Sequence, residues 1–145
     1  MSFSNISFIL HKPQLSENIG ACARAIKNFN FKKLVIINPK PIFPNDKILA
    51  TSVGAKEIIK NCKVYDNLES SIKKIDYLVA TSARFRNKNI KHINLNDLSK
   101  LDFNKKIGFL FVLLFGLFLC LVCFPSVSFF SGFLGSFSVL VVDRV

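Results

Sequence analysis

Neither a G-x-G-x-x-G fingerprint nor a P-loop occurs in this chain of 145 residues, so nothing supports a nucleotide-binding module of either kind. Histidine is nearly missing, with only His11 and His92, and the four cysteines stand at 22, 62, 120 and 123. Cys120 and Cys123 form a C-x-x-C inside "FLCLVCF" with no second pair nearby, so buried thiols are expected rather than a zinc site. The cysteine spacing does not resemble a disulfide framework. The opening "MSFSNISFILHKPQ" lacks the basic stretch and long apolar run of a secretory signal, and a reducing, cytoplasmic compartment is expected. No internal repeat is visible. No glutamate follows Glu69, and neither lysine nor asparagine follows Lys106.

Positive charge, by contrast, is in excess. Lys and Arg number 20 against 9 acidic residues, a formal net charge of +11. That balance favours a polyanionic partner such as RNA, DNA or an anionic membrane, against the plainer reading of a solvated lysine surface. All of it falls in residues 1–106, which hold 19 basic and 8 acidic residues. From residue 107 onward the vocabulary changes to Phe, Leu, Val, Ser and Gly, with nine of the sixteen phenylalanines. The chain is therefore expected to divide into residues 1–111 and an apolar tail, 112–145. The run from Ile107 to Phe124, closed by Pro125, is just long enough for a membrane-spanning helix. Lys105 and Lys106 before it would keep the preceding part cytoplasmic. The preferred alternative is that a change this abrupt reflects translation in a wrong reading frame or a chimeric assembly.

The first part alternates between strand and helix patterns. "ISFIL", "KLVIIN", "CKVY", "DYLVATSA" and "KKIGFLF" read as strands. Helical stretches lie between them, over "LSENIGACARAIKNF", around "NDKILATSVGAKEIIKN", through "LESSIKK" and over "LNDLSKL". Asp66 or Asn67 can cap the third of these. Such alternation means crossover connections, a mostly parallel sheet and flanking helices. Ligands of such sheets bind beyond the carboxyl ends of strands, where "TSARFR" falls.

On a helical wheel, Ile19, Cys22, Ile26 and Phe29 share one stripe, expected to face the sheet. Gly20, Arg24 and Lys27 fall opposite. Gly20 costs up to about 1 kcal/mol against Ala, and one thing it offers is room for another chain or a ligand, with Arg24 one turn along. The plainer reading is a tolerated surface glycine and a solvated arginine.

"LSENIGACARAIKNF", preceded by "FILHKPQ" and followed by "LVIINP", resembles the first motif of SpoU-type RNA 2′-O-methyltransferases. These belong to the SPOUT class, which has a knotted α/β fold. "ATSVGAKEIIKNCKVYDNLESSI" and "DYLVATSARFR" are similar to the TrmJ-like branch, which methylates the tRNA anticodon loop. The resemblance covers about residues 5–111. It implies that Asn18 and Arg24 are the catalytic polar residues, with Arg24 reaching from one subunit of a homodimer into the other's site. A guanidinium is a poor base at neutral pH, so Arg24 would hold the target phosphate and polarise the 2′-hydroxyl. The resemblance also implies that Thr81, Ser82 and Ala83 border the methionine end of S-adenosylmethionine. Arg84 and Arg86, with Arg24, would suit RNA phosphates. His11 reads as a loop or strand-edge residue.

The chain departs from the family pattern after "IGFLF". The family continues with a G-x-E motif and a Ser/Asn-rich, knot-forming segment that supplies most of the adenosine-binding backbone. Here "VLLFGLFLCLVCF" follows. The expected fold is therefore SPOUT-like with its knot-forming C-terminal part missing or replaced. Three functions compete: a tRNA 2′-O-methyltransferase relative, a non-catalytic RNA-binding remnant, and a membrane-anchored protein with a cytoplasmic α/β domain.

Overall fold

The computed structural model describes residues 4–82, 91–93, 100–112 and 138–143. Strand β1 (Ile6–His11) leads into helix α1 (Ser16–Asn28), and β2 (Leu34–Ile37) follows. Two short helices, α2 (Asp46–Thr51) and α3 (Lys56–Lys60), precede β3 (Lys63–Tyr65). Then come α4 (Leu68–Ile72), β4 (Tyr77–Ser82), β5 (Lys91–Ile93), β6 (Ile107–Val112) and β7 (Ser138–Asp143). The sheet order is β3-β2-β1-β6-β4-β7-β5. The first five strands in that order are mutually parallel, and β7 runs against both of its neighbours. The expected mostly parallel sheet with flanking helices is what forms. Within "LNDLSKL", residues 95–99 lie outside the described residues.

Side-chain alternation explains why helices cover both faces. Along β1, Leu10 joins α1, α2 and α3 in one cluster with Ile19, Ile36, Ile48 and Ile58. Its neighbour Ile9 points the other way, with Ile37 and Leu110, against Leu68 and Ile72 of α4. A strand buried on both faces reads as a continuous apolar run, which is why "LVII" shows no polar alternation. Ile9, Ile36 and Ile107 are completely buried, and each contributes about 1.5–3 kcal/mol through removal from water.

The stretch read as one helix around "NDKILATSVGAKEIIKN" is two. Gly54 breaks it with φ +74°, a left-handed conformation that glycine adopts cheaply. The first piece begins at Asn45, whose side-chain oxygen accepts from the Ile48 N–H at 2.9 Å. The same side chain donates to Ser16 Oγ at 2.9 Å and the Ile42 carbonyl at 2.8 Å, tying the start of α2 to the start of α1. Asn67 rather than Asp66 caps α4, accepting from the Ser70 N–H at 2.9 Å.

The apolar run from Ile107 is not one membrane helix. Its first six residues form β6, a central strand between β1 and β4. Here strand structure wins because both neighbours offer ladder partners in register, Ile6↔Ile107 and Tyr77↔Ile107. Residues 113–124 lie outside the described residues. Among the described residues no helix is long and apolar enough to cross a membrane. At the far end of the tail, β7 pairs with β4 from Tyr77↔Asp143 to Ser82↔Ser138.

Candidate functional site

The strand order offers a candidate site before any side chain does. From β1 the chain first builds outward through β2 to β3, then crosses to β4 on the other side, with β6 filling the gap. In open α/β sheets a crevice forms at such a reversal, outside the carboxyl ends of the strands. The register puts His11 of β1 level with Val112 of β6. Pairing of β4 with β6 stops at Ala80↔Leu110. Beyond that point β6 stays with β1, and β4 stays with β7 as far as Ser82. No pair joins the last two residues of β4 and β6, Thr81–Ser82 and Phe111–Val112, and this unpaired end is here called the notch. Thr81 and Ser82 are therefore placed at the carboxyl edge, beside the reversal. Ala83, Arg84 and Arg86 lie outside the described residues.

The rim on the β1 side has unusual backbone. Lys12 (φ 51°) and Asn38 (φ 44°) follow β1 and β2 directly, both in the left-handed region. That conformation costs a residue with a side chain on the order of 1 kcal/mol. Each is pinned by a backbone bond: Lys12 N–H donates to the Ile37 carbonyl and Asn38 N–H to the Tyr65 carbonyl, both at 2.8 Å. Half-buried His11 sits beneath this rim, and burial, then the Lys12 charge, lowers its pKa from the ordinary 6.5. Sequence reasoning missed this rim. The only local signal was Pro13 and Pro39, one residue past each left-handed position.

Helix α1 starts beside the notch and runs back along the sheet. Asn18 is half-buried in its first turn, near the strand ends. Arg24 is exposed and lies about 12 Å below Ser16 along the axis. The side chains of Asn18 and Arg24 leave the helix about 120° apart. Asn18 and Arg24 thus leave α1 in different directions, with Arg24 about 9 Å further along the axis.

Gly20 has a different role from the expected one. It is buried, and α2 packs over it. A Cβ there would fall 2.0 Å from Thr51 Oγ1 and 2.7 Å from the Ile48 carbonyl oxygen. The space above Gly20 is filled by a helix of the same chain, not by another chain or a ligand. The buried stripe is Ser16, Ile19, Gly20, Ala23 and Ile26, rotated from the expected one, while Phe29 is 63 % exposed. The wheel went astray because it assumed one partner, the sheet, whereas α1 also packs against α2. Lys27, in the last turn, donates to the Gly54 carbonyl and closes the lower end of that contact.

No group of three or more His, Cys, Asp or Glu comes together among the described residues. Burial pushes the Cys62 thiol up to about 12, which makes it unreactive at neutral pH.

Residues 5–116 match the model of the SpoU rRNA Methylase family. The chain is 38 % identical over 89 residues to the tRNA (cytidine-2'-O-)-methyltransferase TrmJ of Methanocaldococcus jannaschii, covering 61 % of this chain and 38 % of that protein. It superposes on a probable methylase family protein from Haemophilus influenzae with a TM-score of 0.68 at 29 % identity, over 77 % of this chain and 46 % of the other. TrmJ from Z. mobilis gives 0.66 at 26 % identity, over 73 % and 48 %. The chain spans less than half the length of these relatives.

Proposed function

The chain belongs to the SpoU rRNA Methylase family, and from that premise we propose that it is the N-terminal part of a tRNA 2′-O-ribose methyltransferase using S-adenosylmethionine. The observation that carries this reading is the family match over residues 5–116. The notch at the carboxyl ends of β4 and β6 supports it, because a cofactor of this kind sits at a sheet reversal. When bound, that cofactor supplies an electrophilic methyl group. Thr81, Ser82 and Ala83 would hold its methionine end. The G-x-E and Ser/Asn-rich pieces that would complete the adenosine side are absent from the sequence.

The residues of this chain act on the RNA. Arg24 holds the phosphate beside the target ribose and polarises the 2′-hydroxyl through charge-assisted hydrogen bonds. Asn18 orients the reacting group from the first turn of α1. Arg84 and Arg86 neutralise further phosphates. Arg24 is exposed, which suits the role the family resemblance gives it, serving a partner's site in a homodimer. The proton of the 2′-hydroxyl leaves to another base, because a guanidinium does not accept one at neutral pH.

The test is transfer of labelled methyl from S-adenosylmethionine to unfractionated tRNA, scored as 2′-O-methylated nucleosides. Transfer that drops at least a hundredfold in Arg24→Ala, with unfolding unchanged, supports the reading. No transfer and no cofactor binding, together with salt-sensitive tRNA binding, would replace it with the non-catalytic RNA-binding reading, which the missing G-x-E favours.

A further inference from the structure

We propose, building on the RNA reading above, that the amino-terminal edge of the sheet is a second RNA-binding surface, which grips a phosphate backbone away from the reacting ribose. In the sequence the lysines look scattered. In a parallel sheet every strand starts at the same edge. Lys32 and Lys33 immediately precede β2, and Lys105 and Lys106 immediately precede β6. Lys73 and Lys74 lie just before β4, and Lys60 and Lys63 flank the turn into β3. All eight are exposed. Only β1, at the centre of the five, starts without lysine. There Asn5 donates to the Asn104 carbonyl at 3.0 Å.

Three acidic positions share this edge. Asp76 accepts from the Lys106 backbone N–H at 2.8 Å, and Asp102 accepts from the Asn104 N–H at 3.0 Å. Asp143 stands beside Tyr77 by register. The edge therefore keeps a formal balance of five positive charges. Helix dipoles account for part of it, because Lys60, Lys73 and Lys74 lie at helix carboxyl ends. They do not account for Lys32, Lys33 or Lys106, whereas Lys105 donates to the Tyr77 hydroxyl at 3.0 Å.

From β3 to β4 the band spans four strand spacings, about 19 Å. A nucleic-acid duplex presents about eleven phosphate charges over that length. Phe29 and Phe103, 63 % and 46 % exposed, lie in the segments leading to β2 and β6 and offer faces for base stacking. A narrow band with two separate aromatics follows a phosphate backbone, whereas a bilayer surface calls for a broad face. Along the strands the band lies about 20 Å from the notch, so it holds a part of the RNA remote from the site.

The experiment compares the full chain with Lys32→Gln/Lys33→Gln, with Lys73→Gln/Lys74→Gln, and with a control of equal charge change, Lys47→Gln/Lys56→Gln. Affinity for unfractionated tRNA is followed by fluorescence anisotropy across salt concentration. Each edge pair should lower the slope of log affinity against log salt by about 1.5 to 2. Affinity would then fall about tenfold less steeply between about 50 and about 200 mM salt. The control pair should change the slope by well under half as much. Equal effects from edge and control pairs, or no tRNA binding by the unaltered chain, overturn the proposal. So does unchanged tRNA binding with lost binding to phosphatidylserine vesicles, which would make the edge a membrane surface. Methyl transfer by the same proteins separates the two readings. Edge-dependent tRNA binding without transfer sinks the enzyme alone, and transfer without an edge effect sinks this surface alone.

Discussion

Replacing Gly20 by Ala tests whether the contact between α1 and α2 is as tight as the backbone implies. The added methyl carbon meets Thr51 Oγ1 at 2.0 Å, the Ile48 carbonyl oxygen at 2.7 Å and Thr51 Cβ at 2.8 Å. The hydroxyl could rotate away, but the carbonyl belongs to the backbone of α2 and yields only if the helices separate. Overpacking of this kind costs about 1–3 kcal/mol. Alanine returns at most about 1 kcal/mol of helix propensity. The expected net loss is about 0–2 kcal/mol, read as a lower urea midpoint with an unchanged slope. Melting should fall by about 2–4 °C for each kcal/mol. Thr51→Ala removes the closest clash but not the carbonyl, so the double variant should recover about 1 kcal/mol of coupling. If Gly20→Ala stabilises the protein, or costs the same in the Thr51→Ala background as in the unaltered chain, the helices do not meet through this glycine.

Other consequences can be measured separately. Ile36→Ala empties a fully buried position shared by β2 and the α1–α3 layer, and should cost about 2–5 kcal/mol in urea unfolding. Cys62, with its thiol pushed up to about 12 by burial, should resist iodoacetamide at mildly alkaline pH until denaturant is added, as scored by peptide mass spectrometry. Because the fold favours the neutral thiol, its stabilisation holds below the reference value of 9.0 and is lost as pH rises from there towards about 12. His11 should titrate below 6.5 by NMR, and Lys12→Gln should raise its value part of the way back. The sign is opposite to that of Cys62. The fold favours neutral imidazole, so that contribution is present above pH 6.5 and is lost as pH falls through the folded-state value.

Much of the architecture was legible because it is local. The "LVII" run, the break before Pro39 and a cap at Asp66 or Asn67 each depend on residues a few positions apart, and the structure chose Asn67. The same locality limited the reading of α1. Ile19 and Ile26 were placed inward correctly, but Gly20 was put on the free side, because nothing nearby announces that α2 will lie across it. The run from Ile107 could be read as a membrane helix because hydrophobicity alone does not say whether lipid or two neighbouring strands will satisfy the backbone. Register with β1 and β4 decided that for residues 107–112.

The family resemblance of the first motif made Arg24 a candidate, and composition and period alone determined a basic α/β chain with parallel strands and helices between them. These follow from side-chain direction and local hydrogen bonding, which act over one or two turns. Tertiary structure alone decided that β6 lies between β1 and β4, that the notch opens past Ala80 and Leu110, that α2 covers Gly20, and that lysines distant in sequence form one edge. Those outcomes depend on which strands become neighbours, and that is set by burial summed over both faces of the sheet, not by any one segment.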